Sequence, residues 1–139
     1  MDLASGIAAF EAKEFRRAMQ LLTPLAEHGE PEAQFRVAVM CQNGLAGAPN
    51  PAQAYRWMRA AAEQGHALSQ HGIGVMYLYG ECVGKDEAEA ARWFQRAGAQ
   101  GLAGSKTTLA MMYEEGLGVE RDPARARALY REAGIEVDR

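Results

Sequence analysis

Only two cysteines, Cys41 and Cys82, occur in the 139 residues. A secreted disulfide scaffold would need more of them at regular spacing. Neither lies in a CxxC pair, and no Cys/His cluster has the spacing of a zinc site. Two reduced structural thiols are therefore expected, with no metal and no cofactor. Basic residues are not in excess: 15 Lys plus Arg stand against 18 Asp plus Glu, a formal net charge of -3. That argues against a nucleic-acid binder, which normally shows a basic face. No apolar run approaches the ~20 residues of a membrane helix. The first residues, MDLASGIAAFEAKEF, lack a basic region followed by an apolar stretch and do not read as a signal peptide. A cytoplasmic protein is expected, unless a leader was trimmed from the chain. Strand signals are missing as well, which leaves an all-α fold. GIGVMY at residues 72–77 begins a GxGxxG nucleotide motif but lacks its last glycine and follows no strand. His28, His66 and His71 have no carboxylate or cysteine at ligand spacing. Ser5, Ser69 and Ser105 lack a nucleophile-elbow context. With no catalytic constellation visible, a non-enzyme is expected.

What the chain does have is a period of 36 residues. Gly44, Gly80 and Gly116 keep that spacing, as do Met40, Met76 and Met112. So do Ala54, Ala90 and Ala126, and Gly29, Gly65 and Gly101. Trp57 and Trp93 match, with Leu129 in the third copy. No insertion interrupts the register, and repeats of this length are the signature of stacked supersecondary units. Three units follow, 32–67, 68–103 and 104–139, after an incomplete leading unit at 1–31. Together they make one repeat domain over residues 1–139.

Each unit reads as two helices. The first helices span roughly 32–43, 67–79 and 103–115, with apolar residues at helical spacing such as Val37, Met40 and Cys41. The second span roughly 51–64, 87–100 and 123–133, with buried stripes Ala54–Trp57–Met58–Ala61, Ala90–Trp93–Phe94–Ala97 and Ala126–Leu129–Tyr130–Ala133. Asn50, Asp86 and Asp122 precede the second helices, where a short side chain accepts free backbone N–H groups. Pro51 and Pro123 occupy the first helical position. Gln53 and Glu89, three residues after their caps, are placed to close capping boxes. Gly29, Gly65 and Gly101 suit the left-handed position that ends a helix.

The spans LAMMYEEGLGVERDPARA, IGVMYLYGECVGKDEAEAARWFQRAGAQG and VAVMCQNGLAGAPNPAQAYRWMRAAAEQG resemble the Sel-one-like repeat (SLR), a branch of the tetratricopeptide-like α-solenoids. The resemblance covers about residues 32–133 without a gap, and the 36-residue period separates it from the ~34 of tetratricopeptide repeats. It implies a right-handed α–α superhelix of antiparallel helix pairs, about eight helices including the leading tetratricopeptide-like pair. Ala46 and Cys82 stand where the family pattern expects the second loop glycine, which only Gly118 keeps. A residue with a side chain is strained at positive φ, so these two loops are expected to bend differently. Some cysteine-rich relatives are associated with β-lactam binding, but they pair cysteines within each unit and this chain does not.

The resemblance further implies that first helices line the concave side. The face left over by the core carries Arg36, Val39 and Asn43, then Val75 and Tyr79, then Thr108, Met111 and Glu115. An apolar column between polar ones suits a peptide or a partner helix; the same residues would also serve simply to pack neighbouring helices. Gln34, Gln70 and Lys106 form another column, expected to hydrogen-bond between repeats. Arg56, Arg59, Arg92 and Arg96 are expected on the solvated second-helix face. The leading expectation is a non-enzymatic adaptor for a protein or peptide partner, of the kind that in bacteria assembles signalling, envelope or secretion machinery. The alternative is a homo-oligomer formed through an exposed terminal stripe, Ala126, Leu129 and Tyr130.

Overall fold

The computed structural model describes residues 2–136. Among the described residues there are eight helices and no strand: α1 (Leu3–Glu11), α2 (Phe15–Glu27), α3 (Pro31–Asn43), α4 (Pro51–Glu63), α5 (Ala67–Tyr79), α6 (Glu87–Ala99), α7 (Ala103–Glu115) and α8 (Pro123–Glu132). They fall within a residue or two of the bounds expected from the repeat. The chain divides into two compact units, residues 1–69 and 70–139.

In the first unit α1 packs on α2, α2 on α3 and α3 on α4. Its core is Leu22, Val37, Met40, Trp57 and Met58, closed by Ala18, Ala26, Ala33, Ala54 and Ala61, all buried. In the second unit α6 packs on α7 and α7 on α8. Here Ile73, Met76, Trp93, Phe94, Leu109, Met112 and Leu129 are buried, with alanines again in the slots between them. Methyl side chains at these contacts let helix axes approach toward the short end of the usual 8–10 Å range. Cys41, expected in the core, is half-buried instead.

The caps form as the sequence implies. Asn50, Asp86 and Asp122 accept the backbone N–H groups of Gln53, Glu89 and Arg125 at 3.1–3.2 Å. The capping boxes do not close. The cap residues' own N–H groups already donate to Cys41 O, Tyr77 O and Tyr113 O at 2.8–2.9 Å, which anchors each second helix to the end of its first. With that donor taken, Gln53 and Glu89 turn to Arg56 and Arg92.

The three first-to-second connectors differ where the family glycine is replaced. Gly118 has φ +69, and a Cβ there would overlap the backbone carbonyl of Glu87. Cys82 keeps the same backbone with φ +66, whereas Ala46 does not enter the left-handed region. The expected divergence therefore occurs in the first loop, and the second absorbs strain. A side chain in that region costs about 1–2 kcal/mol, partly offset by the greater unfolded-state freedom of glycine. Cys82→Gly should accordingly raise stability by up to about 1 kcal/mol, read as a higher urea midpoint at unchanged slope.

The terminal stripe expected on α8 is not exposed. Ala126 and Leu129 are 1% and 6% exposed, and Tyr130 is half-buried with its hydroxyl donating to Glu114 Oε1 at 2.9 Å. Helix α8 spends its apolar stripe within its own unit, which removes the surface that the self-association reading needed.

Candidate partner-binding site

In the second unit the site is built on α5 and α7. Val75 and Tyr79 are four residues apart on α5, so they share one face. Val75 is half-buried; Tyr79 is 65% exposed at the last helical position. On α7, Thr108, Met111 and Glu115 share a face by the same rule. Thr108 and Met111 are half-buried and Glu115 is exposed. The Thr108 hydroxyl donates to Gly104 O within its own helix at 2.9 Å. A bond between His71 Nδ1 and Ser105 Oγ, 2.8 Å, ties α5 to α7. Burial holds the His71 imidazole below its ordinary pKa, and its ring lies edge-on to Phe94. His71 is thus a neutral packing residue that sets the two helices side by side.

In the first unit the corresponding face is on α3: Arg36, Val39 and Asn43. Val39 is half-buried and Asn43 exposed, the Asn43 amide donating to Val39 O at 3.0 Å. Arg36 is not a free cation. Its Nε donates to Glu32 Oε1 at 3.0 Å, and its guanidinium lies over the Phe10 ring, 4.9 Å from the centroid. Ion pairing and ring stacking hold it against the protein, so it is withdrawn from the candidate ligand set.

The spacing rule for His66 also fails. His66 Nε2 lies 2.7 Å from Glu32 Oε2, a residue 34 positions earlier. Its Nδ1 receives the Ser69 backbone N–H at 3.2 Å and sits 2.8 Å from Ser69 Oγ. The backbone donor fixes Nδ1 as acceptor, so Nε2–H donates to Glu32. Serine, histidine and carboxylate in a line suggest an acyl-transfer triad, but Ser69 is fully buried and the imidazole nitrogen facing it serves as the cap of α5. The cluster is a structural joint. Glu32 reports on it: burial pushes its carboxyl up, the hydrogen bonds from His66 and Arg36 outweigh burial, and the net result lies below its ordinary 4.5. A lowered carboxylate pKa adds stability above the ordinary value and loses it as pH falls through the folded value. Glu32→Gln should therefore show a smaller drop in melting temperature than the parent between about pH 5 and pH 3.

The expected polar column links the leading unit to the first repeat through Gln34, and it ties first to second helices within each repeat. Gln34 Nε2 donates to Ala26 O at 3.1 Å, and Gln34 Oε1 accepts from Gln64 Nε2 at 2.9 Å. Gln70 Oε1 accepts from Gln100 Nε2 at 2.9 Å. Lys106 replaces glutamine in the third copy and forms a looser pair with Glu132, 3.7 Å. On the second helices the arginines are exposed and engaged locally. Arg59 binds Tyr55 and Glu63, and Arg56 and Arg96 lie over the Trp57 and Trp93 rings. Among the described residues no group of three metal-binding side chains converges, and no helix is long and apolar enough to cross a membrane. Cys41 and Cys82 are free thiols, both pushed up by burial.

Helix pairs repeated at 36 residues, the first two repeats each tied internally by a glutamine–glutamine bond, define an α-helical repeat architecture. The chain belongs to the Sel1 repeat family: the family pattern matches residues 31–66, 67–102 and 108–134. Proteins of this family are typically protein–protein interaction scaffolds and are generally non-enzymatic. The fold is similar to that of a Sel1 repeat protein from Oxalobacter formigenes (TM-score 0.91, 29% identity), which covers 96% of this chain and 55% of that one. It is also similar to a protective antigen of uropathogenic Escherichia coli strains that displays an SLR fold (TM-score 0.82, 34% identity; 84% of this chain, 25% of that one). Cysteine rich protein B of Helicobacter pylori shares the fold at 19% identity (TM-score 0.68; 87% of this chain, 86% of that one). This chain thus spans about half of the first structure and a quarter of the second. No curated protein matches it.

Proposed function

We propose that this chain is a non-catalytic scaffold that docks a peptide or a segment of a partner protein on the outward face of its first helices. Tyr79 carries the reading. A large aromatic ring left 65% exposed on the same face as a half-buried valine is the arrangement of a binding anchor, because aromatic residues with a polar tip dominate interface hot spots. Met111 on α7 extends the apolar floor, with Thr108 and Glu115 as its polar rim. Val39 and Asn43 give the first unit a shorter patch of the same character. Cytoplasmic action belongs to this reading and is supported by two free thiols, since oxidising compartments favour disulfides.

Tyr79→Ala removes exposed surface, so the helical circular-dichroism signal and most of the thermal stability should persist. Binding to the partner recovered from native lysate should fall about tenfold or more, equal to at least about 1.4 kcal/mol. Full binding by a folded triple variant at Val75, Tyr79 and Met111 would move the site to another surface.

A further inference from the structure

Most arginine side chains are engaged. Arg36, Arg59 and Arg92 pair with carboxylates, and Arg56, Arg96 and Arg125 lie over aromatic rings. Lys13, Arg16 and Arg17 make neither kind of contact and are exposed. They stand in the α1–α2 turn and the first turn of α2; that first turn holds no acidic residue, and Glu11 and Glu14 flank Lys13. Two guanidinium groups thus face the positive end of the helix dipole, a placement that lowers helix stability. Beside them lies a groove of about 440 Å³ lined by these three cations, Glu14, Phe15 and Leu45. Leu45 is 38% exposed. A second depression shares Arg16 and continues along α2 past Met19 and Thr23, with Ala46 on its wall. Glu14 lines the first depression and Glu27 the second, so positive charge in excess of these carboxylates borders an apolar trough within the first unit.

We propose that this trough is a second docking surface and that its occupant is an acidic peptide segment carrying an aliphatic side chain. Carboxylates would meet Lys13, Arg16 and Arg17 while the aliphatic group covers Leu45 and Phe15. Charge complementarity selects the occupant. Three cations interleaved with Glu11 and Glu14, on a chain of net charge -3, make too small a basic face for nucleic acid. The surface belongs to a second helix, so the inference does not rest on the first-helix reading.

The test uses the full chain and a fluorescein-labelled peptide of four Glu-Asp-Leu units, with a Lys-Lys-Leu peptide as control, in fluorescence anisotropy. The acidic peptide should bind saturably and the basic one not at all. Raising salt from about 0.05 to 0.3 M should weaken binding severalfold, because exposed charges are screened over a shorter distance. The double variant Arg16→Glu/Arg17→Glu should raise Kd about tenfold or more with an unchanged or higher melting temperature, since it places acid at the helix start. The neutral pair Arg16→Gln/Arg17→Gln should act in the same direction with a smaller effect. Tyr79→Ala should leave Kd within about twofold, far below a hot-spot loss, which separates this surface from the first-helix face. Absence of saturable binding, unchanged affinity in both double variants, loss in Tyr79→Ala alone, or tighter binding of an oligothymidylate than of the peptide would each overturn the proposal.

Discussion

Trp93→Ala should destabilise the second unit by about 3–5 kcal/mol, the usual loss for deleting a large aromatic side chain from a core. Trp93 is 3% exposed and lies in a stripe with Ala90, Phe94 and Ala97, all fully buried. Deleting the ring leaves a cavity that alanine neighbours have no side-chain length to fill. It also removes the stacking of Arg96, whose guanidinium sits 4.3 Å from the ring centroid. One term opposes these. The indole Nε1 is buried without an acceptor, an arrangement that itself costs about 1–3 kcal/mol and disappears with the ring. That offset puts the expected loss toward the lower half of the range. It also makes Trp93→Leu instructive, because the third repeat already carries Leu129 in this slot, 6% exposed. Leucine restores part of the volume and brings no orphan donor, so about 1–2 kcal/mol is expected. Urea unfolding followed by circular dichroism measures both. A loss below about 1 kcal/mol for alanine would mean that the side chain does not fill a core slot.

Gly118→Val should cost about 2–5 kcal/mol, summing the strain of a left-handed residue with a side chain and the overlap of its Cβ. Gly118 holds φ +69, and the atom added there meets the carbonyl of Glu87, which is backbone and cannot rotate away. The connector between α7 and α8 or the first turn of α6 must shift. Cys82 is the internal control, because it holds φ +66 with a side chain already present. Cys82→Ala should therefore change stability by less than about 1 kcal/mol. A thermal midpoint for Gly118→Val within a degree or two of the parent would show that the connector is loose against α6.

Much of this architecture was legible because it is local. A 36-residue period with Asn50, Asp86 and Asp122 before second helices states where helices begin, and Gly29, Gly65 and Gly101, all at positive φ, state where they end. Helical spacing alone puts Val75 with Tyr79 on one face of α5 and Met111 with Glu115 on one face of α7. What the sequence hid lies between elements. Glu32 and His66 are 34 residues apart, which no local rule connects. They meet because one opens a first helix and the other precedes the next, nearly one period away. Arg36 is drawn from the ligand face partly by Glu32, an i,i+4 neighbour legible on α3, and partly by the Phe10 ring, which only the fold brings beside it. The capping boxes stay open because carbonyls of Cys41, Tyr77 and Tyr113 claim the cap donors first. The exposed stripe expected on α8 was inferred from the end of the repeat pattern. Its alanine and leucine instead complete the core of their own unit, and Tyr130 reaches back to Glu114.

The central claim is that the first-helix face meets a partner protein. Site-specific photo-crosslinking in the native host tests it most directly. A benzoylphenylalanine would be placed in turn at position 79, at position 115 and, on a second helix, at position 92, where the parent Arg92 is exposed and paired with Glu89. The account predicts one partner adduct of the same mass from positions 79 and 115 and none from position 92. An adduct from position 92, with none from positions 79 and 115, would contradict it.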